Sequence, residues 1–156
     1  MKIDYISDLH LDSHVKTSKE ATHFISKLMG SGDILLFAGD LDESSDFLVP
    51  ALSVFKSFYK NVVFIPGNHD LYGNTYNRLA CLEDIAEYYG VTVLNYNTHN
   101  FGDITVGGGP CWCDFSYTGN RWEAFRKYPY EMKDLSHIDP RYFKHDAWKY
   151  ADIVND

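Results

Sequence analysis

Three short apolar runs in the first half of the chain each stop abruptly at polar residues. Lys2-Ile3-Asp4-Tyr5-Ile6-Ser7 leads into Asp8-Leu9-His10, Ile34-Leu35-Leu36-Phe37-Ala38 into Gly39-Asp40, and Val62-Val63-Phe64-Ile65-Pro66 into Gly67-Asn68-His69-Asp70. Runs of this length cut off by Gly or Pro predict buried strands ending in tight turns. The second is apolar throughout, as parallel strands covered on both faces are. Between the runs the apolar period changes to that of a helix. Ala21, Phe24, Ile25, Leu28 and Met29 share one face of a helix capped by Thr17 or Ser18 and ended by Gly30 and Gly32. His23 lies beside that stripe and reads as a packing or surface residue. Phe47, Leu48, Ala51, Leu52, Phe55 and Phe58 mark the buried side of a second helix, starting at Ser44 or Ser45, with Pro50 tolerable only in its first turn. A third helix is expected over 75–89, with Leu79, Leu82, Ile85, Ala86 and Tyr89 on one side and Gly90 as the stop.

The pattern then becomes that of short strands. Val91-Thr92-Val93-Leu94 is one, and Asn97–Phe101 with Ile104–Gly107, joined at Gly102-Asp103, predicts a hairpin. Gly107-Gly108-Gly109-Pro110 reads as a flexible bend. It is not a phosphate-cradling loop, since no Gly-Lys-Ser/Thr follows. Residues 112–130 are dense in aromatics, expected to pack under a loop-rich region or to form a substrate-stacking rim. Asp139-Pro140 opens a final helix marked by Phe143, Ala147, Ala151 and Val154. The fold class is therefore α/β: a βαβαβ half followed by a β-hairpin, in one domain covering 1–156.

Composition narrows the function. A chain of 156 residues with 45% apolar residues is enough for one domain with a real core. The net charge of −8 argues against sequence-independent binding to nucleic acid, because phosphate neutralisation by Lys and Arg supplies most of that affinity, and leaves a nucleic-acid end open as a substrate. No stretch is long and apolar enough for a membrane span, and the N-terminus lacks the apolar core of a signal peptide. The three cysteines, Cys81, Cys111 and Cys113, are expected to be reduced thiols in a cytoplasmic protein.

The polar residues at the strand ends carry the chemistry. The three motifs recur at roughly 30-residue intervals, the length of a strand, a crossover helix and the next strand. In open α/β sheets, sites collect outside the carboxyl ends of the strands. Asp8, His10, Asp40, Asn68, His69 and Asp70 are thereby expected on one sheet edge. Asp8 and His10, two residues apart, would point the same way on an extended chain. Asp40 would arrive between the other motifs and bridge two ions, and Asn68 offers a carbonyl oxygen to the second. Such a donor set suits Mn²⁺, Fe, Zn²⁺ or Mg²⁺. Two divalent ions less two carboxylates and a bridging hydroxide leave a net positive centre that attracts phosphate, and two-metal sites activate water for in-line displacement. His69 is a candidate general acid for the leaving alkoxide, with Asp70 orienting its ring.

Asp8-Leu9-His10, Gly39-Asp40 and Gly67-Asn68-His69-Asp70 resemble the first three signature blocks of the calcineurin-like metallophosphoesterase superfamily. The resemblance implies a four-layer α/β/β/α sandwich, a phosphate mono- or diester substrate, and two divalent metal ions. It assigns Asp8 and His10 to the first ion, Asp40 to the bridge, Asn68 to the second ion, and His69 with Asp70 to an acid dyad. Trp112 and Asp114-Phe115 resemble a Leu-Trp-Thr-Asp-Phe segment of one bacterial and phage branch, with Cys113 at the Thr position. Members continue with a strand ending in His and a Gly-His-x-His block, which complete both metal sites. Neither is found in this sequence, and His14, His99, His137 and His145 stand in no such context. The domain is therefore expected to be C-terminally incomplete. That leaves two alternatives to a self-sufficient enzyme: a second polypeptide that supplies the missing histidines, or a catalytically inactive scaffold or interaction module.

Overall fold

The computed structural model describes residues 1–73, 77–110 and 134–138. Four parallel strands, β1 (Ile3–Ile6), β2 (Ile34–Phe37), β3 (Asn61–Phe64) and β4 (Thr92–Val93), lie side by side in chain order. Ile3 pairs with Ile34, and Ile34 with Asn61. Each step along the sheet goes the same way. Right-handed crossovers therefore put every connecting helix on one face. These are α2 (Ser18–Ser26), α3 (Leu48–Phe58) and α4 (Arg78–Tyr88), preceded by a single turn, α1 (Leu11–His14).

Alternation along the strands confirms the two faces. Leu35, Phe37, Val62 and Phe64 join Ala21, Ile25, Ala51, Leu52, Phe55, Leu82 and Ala86 in the larger core beneath the helices. Ile34 and Val63 turn the other way. They pack with Leu94 and Val106 under the antiparallel hairpin of β5 (Asn97–Phe101) and β6 (Ile104–Gly108). Helices, parallel sheet and hairpin thus make three layers among the described residues, the mixed α/β architecture expected from the sequence.

Local chemistry explains where the elements begin. Thr17 caps α2, its hydroxyl accepting from the Glu20 N–H. α3 begins at Leu48, later than Ser44 or Ser45, because the buried Asp42 carboxylate accepts from the N–H groups of Ser45 and Phe47 and from the Ser44 hydroxyl. These bonds hold residues 42–47 in a turn, with Ser45 at φ 66°. Pro50 falls in the first turn of α3. Two residues expected inside are outside: Phe58 is 49% exposed and Leu28 46%. Gly107 and Gly108 are strand, not a bend. A Cβ at Gly108 would meet Ile65 Cδ1 at 2.6 Å, so the missing side chain leaves room for Ile65, just past β3, against the hairpin.

His23 and His99 are exposed, as is the free thiol of Cys81. No helix among the described residues is long and apolar enough to cross a membrane. The aromatic stretch 112–130, Cys111, Cys113, Asp114, His145 and the final helix lie outside the described residues.

Candidate metal centre

The loops after β1, β2 and β3 run together at the carboxyl edge of the sheet. The ladder continues past the strands: Asp8 N–H donates to Gly39 C=O at 3.0 Å, His10 N–H to Asp40 C=O at 3.0 Å, and Leu11 N–H to Leu41 C=O at 2.8 Å. The second and third loops touch backbone to backbone. A Cβ on Gly39 would strike the Gly67 backbone nitrogen, and one on Gly67 would strike the Asp40 carboxylate, so both positions require glycine. Gly39 also sits at φ 76°.

Asp8, His10 and Asp40 have φ values of 55°, 38° and 56°, and only Ser45 and Tyr96 join them as non-glycine residues with positive φ among the described residues. Left-handed backbone at such residues costs on the order of 1–3 kcal/mol each and concentrates at functional sites. It also defeats the rule that residues two apart point alike, which holds only for extended chain. Asp8 is exposed, and it is His69 that converges with His10 and Asp40. One donor atom from each of these three lies within 4.8 Å of the others. The His10 and His69 rings meet edge to face with centroids 4.6 Å apart.

Hydrogen bonds lace the motifs together. Asp40 Oδ1 accepts the His69 N–H at 3.0 Å, which starts a single 3-10 turn over His69–Leu71. The buried Asp70 carboxylate accepts three backbone N–H groups: Asp40 at 2.8 Å and Gly67 at 2.8 Å on Oδ2, and Leu41 at 2.9 Å on Oδ1. Burial pushes the Asp70 carboxyl up to about 6, against the downward pull of those donors, Gly67 first. Asp70 therefore ties the second loop to the third, and its expected contact with the His69 ring is not formed. Glu43 takes that place, its Oε1 lying 2.9 Å from His69 Nδ1. Arg78 secures the arrangement, donating to the Asp70 and Glu43 backbone carbonyls.

Asn68 faces another way. Its Nδ2 donates to Tyr72 Oη at 3.2 Å and to Asp134 Oδ1 at 2.8 Å, and the Tyr72 hydroxyl donates to the same Asp134 oxygen. Burial and then the Asp134 bond push the Tyr72 hydroxyl up to about 12, so it remains a donor. Sequence reasoning missed Glu43, Tyr72 and Asp134. Glu43 had a signal, standing three residues after Asp40 in an acidic run. Asp134 had none, since it lies 66 residues from Asn68 in the chain.

Imidazole and carboxylate donors converging from three loops fit a divalent cation with nitrogen and oxygen ligands. Asn68 and Asp8 stand on the same sheet edge, within the same motifs.

A solved phosphopantetheinyl hydrolase from Mycobacterium tuberculosis has a similar fold, with a TM-score of 0.69 and 20% identity over 99% of this chain. The match covers 61% of that protein, so this chain spans about three fifths of its length. A protein of unknown function from Aquifex aeolicus aligns with 83% of this chain and 73% of its own at 19% identity, with a TM-score of 0.38. No curated protein matches. The calcineurin-like phosphoesterase family model matches residues 1–152, nearly the whole length, and the chain belongs to that family.

Proposed function

We propose that this protein is a metal-dependent phosphoesterase that hydrolyses a phosphate mono- or diester. The observation that carries the reading is the convergence of His10, Asp40 and His69 within 4.8 Å at the ends of three adjacent strands. His10 and Asp40 would hold one divalent ion, with Asp8 as an added oxygen donor, and Asp40 and Asn68 would hold a second. Mn²⁺, Fe, Zn²⁺ and Mg²⁺ all suit such donors. Bound ions would supply Lewis acidity, neutralising phosphoryl charge and acidifying a water molecule.

The protein's own residues do the rest. Asp40, fixed by its N–H bond to Asp70 and by its Oδ1 contact with the His69 N–H, is a carboxylate held in one orientation. His69, with Nδ1 tied to Glu43, leaves Nε2 as the nitrogen that can give a proton to the leaving alkoxide. Asp70 supports this acid indirectly, by fixing the loop that carries it.

The test is hydrolysis of an aryl phosphate mono- or diester by the chain with Mn²⁺ present. Asp40→Asn and His69→Ala are each expected to lower turnover by roughly 10²–10⁴-fold. Unchanged activity in both variants would sink the assignment. A second reading, a catalytically inactive scaffold, is favoured by the donor count: His10, Asp40 and His69 are the one His/Cys/Asp/Glu group of this kind among the described residues. It predicts no turnover and at most one weakly held ion. A second polypeptide contributing histidines would reconcile the two readings, restoring turnover on mixing.

A further inference from the structure

Asn68 stands in the site motif, yet its amide nitrogen is consumed by contacts with a distant part of the chain. Residues Asp134–His137 form a single helical turn, α5, lodged against the back of the Asn68 loop. Gly73 N–H donates to the His137 carbonyl at 3.1 Å, the Tyr72 and His137 rings stack at 4.9 Å, and Ile138 is buried in the main core. This docking puts the Asp134 carboxylate beside Asn68 Nδ2, at 2.8 Å. The same nitrogen also donates to Tyr72 Oη, whose own hydroxyl donates to Asp134.

The triangle decides which end of the amide faces which way. A carboxylate only accepts hydrogen bonds, so Asp134 selects the NH₂ end of Asn68 and repels the carbonyl end. The NH₂ end is then engaged by both oxygens, and the carbonyl oxygen is left as the one coordinating atom that Asn68 can offer. An asparagine free to flip could turn its NH₂ group toward the cation site, which is repulsive.

We propose that Asp134, with Tyr72, is a positioning residue that fixes the Asn68 amide so that its carbonyl oxygen is the atom offered to a cation. The inference rests on the reading of Asn68 as a metal ligand given above. Partners behind a ligand typically change metal affinity by roughly 10–100-fold when removed.

The experiment has a metal arm and a metal-free arm, both on the 156-residue chain. Mn²⁺ is titrated by calorimetry into wild type, Asn68→Ala, Asp134→Ala, Asp134→Asn and the Asn68→Ala/Asp134→Ala double variant. Asp134→Ala is expected to weaken Mn²⁺ binding roughly 10–100-fold. Asp134→Asn, whose carbonyl still accepts, is expected to recover most of that loss. Adding Asp134→Ala to Asn68→Ala is expected to change nothing further, because the effect acts through the amide. Wild-type affinity in Asp134→Ala, or an additive loss in the double variant, overturns the proposal. In the metal-free arm, the Asn68 side-chain amide resonances are expected to lose exchange protection in Asp134→Ala and in Tyr72→Phe. The latter keeps the stacked ring and serves if Asp134→Ala fails to fold. Unchanged resonances overturn the positioning itself. Full Mn²⁺ affinity in Asn68→Ala together with altered resonances would instead overturn the ligand reading while leaving the orientation intact.

Discussion

The two edges of the parallel sheet each carry an aspartate that stitches neighbouring loops, and the two aspartates behave oppositely. At the amino edge, Asp4 Oδ2 accepts the Gly32 N–H at 2.7 Å and the Tyr59 hydroxyl at 2.9 Å, and Tyr59 Oη in turn accepts the Gly30 N–H. The Gly32 N–H, then Tyr59, holds the Asp4 carboxyl below the ordinary aspartate range. At the carboxyl edge, Asp70 accepts three N–H groups, yet burial outweighs them and lifts its carboxyl to about 6. At the amino edge the Asp4 side chain is partly exposed, at 22%, over a buried Tyr59. The carboxyl edge is dry beneath, and it holds Asp8, His10 and Asp40 in left-handed backbone. The buried Asp70 braces the second loop, and the backbone bonds from Asp8, His10 and Leu11 tie the first loop to it, which is what lets the strain persist. The lesson is that the same hydrogen-bonding device closes the fold at one end and preloads the site at the other.

The contrast is broken most severely by removing the brace. Asp70→Ala leaves one buried and two part-buried N–H groups without their acceptor, at about 1–3 kcal/mol for the buried one and less for the others. A loss of about 3–5 kcal/mol in urea unfolding, with metal affinity lost as well, is the expected outcome. Gly39→Ala comes next. It combines a backbone clash with Gly67 and a left-handed φ, and about 3 kcal/mol is expected from the same measurement.

Glu43→Gln sharpens the comparison by touching chemistry and not the fold. Turnover is expected to fall roughly tenfold, as for partners that orient a functional histidine, with an unchanged melting temperature. Asp4→Asn is expected to have the smallest effect, a slight fall in the unfolding midpoint with wild-type metal affinity. A larger loss for Asp4→Asn than for Asp70→Ala would invert the picture.

The two carboxylates also predict opposite pH slopes in the metal-free chain. The lowered Asp4 pKa means that the unfolded chain binds more protons near pH 4. Its stabilisation is present above the ordinary aspartate value and is lost as pH falls through the lowered one. The raised Asp70 pKa means that the folded chain binds more protons. Its contribution is complete below the ordinary value and is lost as pH rises through about 6. Subtracting the urea-midpoint curves of Asp4→Asn and Asp70→Asn from wild type should give differences of opposite slope.

Much of this was legible in the sequence because it is local. An apolar run of β-branched residues cut off by Gly or Pro is a strand ending in a turn wherever it occurs. Three such runs at crossover spacing dictate a parallel sheet and bring Asp8, His10, Asp40 and the Gly67–Asp70 motif to one edge. The hairpin was legible from Gly102-Asp103 between two alternating runs. Tertiary structure alone decided where the side chains of that edge point. Left-handed backbone replaced extended chain at Asp8 and His10, burial set Asp70 under the loops, the His69 ring went to Glu43, and a segment 66 residues distant took the Asn68 amide. Periodicity reports which face of an element is apolar. Loop direction and hydrogen-bond partners beyond the strand ends depend on which backbones approach one another, and only the packed chain fixes that.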